Sequence, residues 1–160
     1  MSSIEIGITE ENLKKVSETL KGVLADAHVL YLKKRNFHWN LVGPRFHSLH
    51  EFFEEQYTAL EKSIDEIAER IRQVGDVAPG SMKEMLDYAS LKEAPGEKVN
   101  GDDAILYLLA DHTAVIKNLR TGIQACEEEC GDVGTADFLT ALLQQHEEMA
   151  WMLRSFIEKE

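Results

Sequence analysis

Histidines and carboxylates crowd into one stretch of the chain: Asn36-Phe37-His38-Trp39-Asn40, then His50-Glu51 with Glu54, then Asp65-Glu66 with Glu69. At 3.6 residues per turn, His50 and Glu54 stack on one helical face, and so do Asp65 and Glu69. Each pair is a two-ligand clamp. Imidazole with carboxylate suits iron(II), manganese or zinc, and the lack of a thiolate cluster argues against copper(I) or an iron-sulfur centre. Cys126 and Cys130, four apart in Cys-Glu-Glu-Glu-Cys, could in principle hold a soft metal, but a zinc site would need further ligands nearby and intracellular thiols are usually reduced, so they read as structural.

The spacing between the clamps is informative. Eleven residues separate Glu54 from Asp65, about three turns, so both pairs lie on one stripe. Along the axis they stand ~16 Å apart, too far to share one ion in a straight helix. Two copies meeting antiparallel about a two-fold axis would set the His50/Glu54 end of one against the Asp65/Glu69 end of the other, giving two equivalent sites. His38, from the preceding segment, would complete each. Taken singly, a helical Asp-x-x-x-Glu is usually solvated and a lone histidine on an apolar stripe is usually core; the combination is what points to metal. His47 ranks low as an accessory ligand, and His28, His112 and His146 fall on packing faces. An in-chain di-iron bundle needs Glu-x-x-His, and no histidine here has Glu three residues before it.

The elements that must position these residues are long helices. From Thr9, an expected N-cap, apolar residues recur at Leu13, Val16, Leu20, Leu24, Ala27 and Leu30, predicting a helix to about His38. After Gly43-Pro44 the pattern resumes at Leu49, Phe53, Leu60, Ile64, Ile67 and Ile71 and stops at Gly75. A third helix is expected after Gly101, with Asp102 as N-cap, ending at Gly131. A fourth starts near Thr135, with Leu139, Leu142, Leu143, Met149 and Leu153 facing inward. The fold class is all-α: a four-helix bundle forming a single domain over 1–160. The connection over residues 75–100, about 26 residues, holds a short pattern of Met82, Met85, Leu86 and Leu91. It predicts a small extra helix on a segment crossing the bundle end to end. No strand-like alternation, phosphate loop or nucleophile elbow appears.

Composition narrows the partners. Asp and Glu outnumber Lys and Arg 29 to 17, for a formal net charge of -12. Such a field attracts cations and repels polyanions. No window approaches the roughly eighteen apolar residues of a membrane span, and the opening residues are polar, so the expected location is cytoplasmic.

Asn36-Phe37-His38-Trp39-Asn40, Gly43-Pro44, Phe46-His47, Leu49-His50-Glu51 and Asp65-Glu66-Ile67-Ala68-Glu69-Arg70-Ile71 closely resemble the Dps family, the mini-ferritins. The resemblance extends through Ser90-Leu91-Lys92-Glu93-Ala94-Pro95 and Thr135-Ala136-Asp137 to Trp151, covering nearly the whole chain. It implies a ferritin-like subunit that assembles into a hollow dodecamer with ferroxidase sites at two-fold interfaces. By similarity, His38, His50 and Glu54 of one subunit and Asp65 and Glu69 of its partner would bind Fe(II), with zinc as a competitor. Where many members carry Asp, this chain has the longer Glu54. The implied chemistry is oxidation of Fe(II) to Fe(III) by hydrogen peroxide, less efficiently by dioxygen, with ferric mineral stored inside. That chemistry protects against oxidative stress. Trp39, beside the site, would quench radicals or simply pack. Asp132 and Asp137 match a region lining iron-entry pores, although a helix N-terminus favours acids in any case. Many DNA-binding members carry a Lys-rich terminal arm. This chain opens Met-Ser-Ser-Ile-Glu-Ile-Gly and closes Ile-Glu-Lys-Glu, with Lys33-Lys34-Arg35 its only basic triplet, so strong DNA binding is not expected. The alternative is a nucleoid scaffold with little ferroxidase activity.

Overall fold

The computed structural model describes residues 4–159. Among them the chain forms α1 (Glu10–Asn40), β1 (Leu41–Val42), α2 (Phe46–Gln73), α3 (Met82–Tyr88), β2 (Val99–Asn100), α4 (Gly101–Gln124) and α5 (Val133–Ser155), with one π turn over Ala125–Glu129. α1 and α2 pack as one antiparallel pair and α4 and α5 as another. The two pairs close over a core built from the apolar stripes, in which Leu20, Leu24, Leu30, Phe53, Leu60, Ile71, Leu108 and Leu139 are fully buried. Each such side chain stabilises the bundle by roughly 1.5–3 kcal/mol.

The sequence boundaries hold with local corrections. Thr9 caps α1, its hydroxyl accepting from the Asn12 amide at 3.3 Å. Asp102 does not cap α4. The chain enters that helix from β2, which places Asn100 at the cap, and its side-chain oxygen accepts from the Asp103 amide at 2.9 Å. Asp102 and Asp103 instead lie in the first turn, favourable for the helix dipole. The fourth long helix starts at Val133, two residues before Thr135, because Asp132 caps it by accepting from the Thr135 amide at 2.9 Å. Before it, α4 widens into the π turn, closed by the Cys130 amide on the Ala125 carbonyl at 3.1 Å and by Gly131 at φ +68°. Both cysteines are free and buried there, and burial pushes the Cys126 thiol up to about 12, keeping it protonated.

Two short parallel strands, unforeseen from the sequence, fix the long connection: Leu41 pairs with Val99 and Val42 with Asn100. The connection leaves α2 near the start of α1, where Asp76 accepts from Ser17 at 2.6 Å and pairs with Lys21 at 2.9 Å. It returns to the end of α1 at the strand pair, so it does cross the bundle. α3 forms on the way behind a capping box of Ser81 and Glu84. Buried Asp26 fastens the middle, accepting from the Ser90 amide and hydroxyl, each at 2.7 Å, and from the Leu91 amide at 3.0 Å. No helix among the described residues is long and apolar enough to cross a membrane.

Candidate metal centre

His38 occupies the last turn of α1 and His50 the start of α2, so the tight Gly43-Pro44 turn folds them onto each other. Their rings stack at 3.7 Å between centroids and 11° between planes. Each Nδ1 lies 2.7 Å from the other residue's backbone carbonyl. A carbonyl oxygen only accepts, so both Nδ1 atoms carry the proton. In the neutral rings both Nε2 atoms then hold a free lone pair. Neither Nε2 makes a hydrogen bond within the described residues. Fixing a ligand imidazole through its other nitrogen is the usual way a protein sets tautomer and ring orientation before metal arrives.

Glu54 follows one turn after His50 and is exposed, leaving its carboxylate open to a cation. Asp65 and Glu69 are exposed further along α2, on the same stripe but out of reach of the histidines within one chain. Among the described residues no three His, Cys, Asp or Glu side chains gather closely enough to hold an ion. The chain therefore brings His38 and His50 together, with Glu54 one turn along α2 from His50, and keeps Asp65 and Glu69 further off. Asp65 lines a groove of about 690 Å³ between α1, α2 and α3, whose other walls include Leu32, Ile64, Met82 and Leu86. Met82 is 85% exposed there and Leu32 and Leu86 are each 47% exposed, so the groove carries an apolar surface rather than one stray side chain.

Two residues near the histidines were not read from the sequence as belonging to the site. Tyr57 sets its ring edge-on to His38, 5.3 Å between centroids. Desolvation and then the Glu54 charge raise its hydroxyl pKa. The guanidinium of Arg35 lies over three rings, at 5.1 Å from Trp39, 5.4 Å from Tyr57 and 5.5 Å from Tyr31, and donates to the Tyr31 hydroxyl at 3.0 Å. Their signal was positional: Tyr57 stands three residues after Glu54 and Arg35 three before His38. Trp39 itself is 55% exposed beside the site. His47 is exposed and faces Glu51 at 3.4 Å, away from the stacked pair's hydrogen bonds.

Of the possible pore acids, Asp132 is buried and committed. Its oxygens take the Thr135 amide and hydroxyl, and Arg70 approaches at 3.5 Å. Asp137 is exposed on α5. The basic triplet is largely withdrawn from solvent: Lys33 pairs with Asp111 at 2.7 Å, Lys34 is fully buried and Arg35 sits among the rings.

A ferritin-like domain model matches residues 17–160. An uncharacterized low temperature-induced protein from Nostoc sp. is 46% identical over 158 residues, covering 99% of this chain and 88% of that protein. A DNA protection during starvation protein from Bacillus anthracis is 39% identical over 147 residues, covering 91% of this chain and 99% of the relative. The crystal structure of a Dps protein from Vibrio cholerae O1, described as one of the ferritin-like diiron-carboxylate proteins, superposes with a TM-score of 0.91 at 30% identity. It covers 99% of this chain and 98% of the other. With the domain match over most of the chain, the 39% identical relative and the superposed fold in agreement, this chain belongs to the ferritin-like proteins of the Dps family.

Proposed function

We propose that this chain is a ferroxidase subunit that oxidises Fe(II), with hydrogen peroxide as preferred oxidant and dioxygen as a slower one, and stores the ferric product in a hollow dodecameric shell. The observation that carries this reading is the reciprocal hold on His38 and His50, which leaves two imidazole lone pairs free, with the exposed Glu54 one turn along α2 from His50. Iron is the substrate. His38, His50 and Glu54 bind it from one subunit, and Asp65 and Glu69 of a second subunit complete the coordination across a two-fold axis. The separation of the two clusters along α2 and the open apolar groove beside Asp65 both support a partner chain. Three carboxylates around each site offset the charge gained as Fe(II) becomes Fe(III). In each turnover one peroxide takes two electrons, one from each of two Fe(II) ions, its O–O bond breaks, and both oxygens leave at the level of water. Removing peroxide and ferrous iron together suppresses hydroxyl-radical chemistry, which is protection against oxidative stress. The same nitrogen and oxygen donors suit zinc, a competitor for the site.

The relatives' names speak of DNA protection, but direct DNA binding is disfavoured in this chain. Its charge is -12 and its one basic triplet is mostly buried, so few phosphates would be neutralised and few counterions released.

A complementation experiment tests both the ligands and their sharing. One variant carries His38→Gly with His50→Gly, the other Asp65→Asn with Glu69→Gln. Each alone is expected to form assemblies of unchanged mass that oxidise Fe(II) slowly. Dissociated, mixed and reassembled, they should recover about a quarter of wild-type peroxide-dependent activity, since half of the random two-fold pairs contain one intact site of two. Mixed assemblies as inactive as their parents would show that the two clusters do not serve a common site.

A further inference from the structure

All four long helices send a polar side chain to one place in the middle of the core. Lys34 comes from α1, Gln56 from α2, His112 from α4 and His146 from α5, and every one is buried, Lys34 and His112 completely. Gln56 donates from Nε2 to the Met149 carbonyl at 3.2 Å, which turns its Oε1 to accept from the Lys34 amine. His112 and His146 meet Nδ1 to Nδ1 at 2.9 Å, so one of the two must be unprotonated there. The Nε2 of His112 is buried with no hydrogen-bond partner. None of these residues is a ligand in the reading above, and apolar side chains at all four positions would pack the same space without desolvating anything.

We propose that the Lys34, Gln56, His112 and His146 cluster is a proton-operated weak point: as the medium acidifies, charge enters the bundle core there and the four helices loosen around it. The groups facing the Lys34 amine explain why. From α2 it has only the neutral amide of Gln56. From α4 it has His112 and, further off, Asp111, whose carboxylate is already held by Lys33 at 2.7 Å. From α5 it has His146. An ammonium there keeps one neutral acceptor and no carboxylate in contact, so burial drives the amine down to about 7, with Asp111 opposing only from a distance. Burial, and then the Lys34 charge, lower His112 well below the ordinary imidazole value and His146 to about 3. The three bases repel one another's protons, so the cluster does not saturate in one step.

The direction of the effect follows from where protons bind. Between about 10.5 and 7 the unfolded chain holds a proton on Lys34 that the folded chain refuses, so stability falls as the pH falls through that window. Below 7 both states hold it and Lys34 adds no further slope. From about 6.5 downward the histidines take over, since they protonate in the unfolded chain but not in the folded one until near 3 for His146. Each group changes the folding constant by up to about tenfold per pH unit within its window.

The test uses the intact assembly and is independent of iron chemistry, so its failure would leave the ferroxidase reading untouched. Histidine C2-proton exchange, followed by mass spectrometry across pH 4 to 9 on the unaltered chain, reports each ring separately. His112 and His146 should titrate at least a unit below the exposed His47 of the same sample. Thermal unfolding across pH 4 to 10 adds the energetic half. A Lys34→Met/Gln56→Leu variant should lose the slope above pH 7, and a His112→Phe/His146→Leu variant the slope below 6.5, relative to the unaltered chain. His112 and His146 titrating together with His47, or folded variants with the unaltered chain's pH slopes, would overturn the proposal. If the variants do not fold, the exchange measurement decides alone.

Discussion

The bundle contains two histidine pairs that look alike in composition and are wired in opposite ways. His38 and His50 give their Nδ1 protons to backbone carbonyls, each at 2.7 Å, and so hold both Nε2 atoms ready for an outside electrophile. His112 and His146 spend their Nδ1 atoms on each other at 2.9 Å, and His112 buries its Nε2 where nothing meets it. The first pair lies where α1 turns into α2, beside the exposed Glu54; the second lies between α4 and α5 with Lys34 across from it. A histidine's role here is set by what occupies the nitrogen that does not react. On the proposed reading, the backbone carbonyls leave a pair free to bind metal, whereas a second imidazole makes a core contact that resists protons.

The largest separation between the pairs should appear in iron oxidation. Replacing His38 and His50 by Gly removes two donors, and the initial rate of peroxide-dependent Fe(II) oxidation, followed by absorbance, should fall by about a hundredfold or more, since losing even a hydrogen-bond partner of a metal ligand costs roughly 10–100-fold. His112→Phe/His146→Leu should leave that rate within about twofold. An equal loss in both would mean that the wiring does not distinguish them.

Stability should reverse the order. The core double variant replaces a partly unsatisfied polar pair by apolar rings and chains, which relieves a desolvation cost of about 1–3 kcal/mol. For a chain of this length that is roughly 2–10 °C in Tm near neutral pH. The His38/His50 variant should change Tm less in the assembled, metal-free protein, because its rings lie at the end of the bundle rather than inside it. A lower Tm for the core variant would show that the His112–His146 contact is net stabilising.

Much of this arrangement was legible in the sequence, and the remainder was not for identifiable reasons. The apolar period marks each long helix because helical packing needs it, and Met82 and Met85 betray α3 for the same cause. Four of the five ligand candidates announce themselves as pairs four residues apart, and His38 stands outside that spacing. The carbonyl holds on His38 and His50 are invisible, since every residue has a carbonyl and only the turn at Gly43-Pro44 decides which one a ring meets. The cap of α4 was misplaced by two residues because Asn100 and Asp102 are both good caps, and strand pairing of Val99 and Asn100 made the choice. The core cluster left a trace that was open to reading: Lys34 falls four residues after Leu30 and four before His38, on the buried stripe, although its place in a basic triplet suggests solvent.

The smallest effect concerns what steadies the ligand pair. Tyr57 places its ring edge against His38, and its hydroxyl lies in the field of Glu54 and Arg35. Were the hydroxyl part of the ligand hold, Tyr57→Phe would slow iron oxidation tenfold or more. The His38 ring is instead held by the His50 carbonyl, and Phe keeps the edge contact, so the initial rate should change by less than about threefold. The rate is best measured beside Fe(II) affinity under anaerobic conditions, because a substitution that merely tilts the ring should weaken binding and rate together. A tenfold loss of rate at unchanged affinity would assign the phenol a part in the electron transfer itself, and the backbone would no longer suffice to explain how His38 differs from His112.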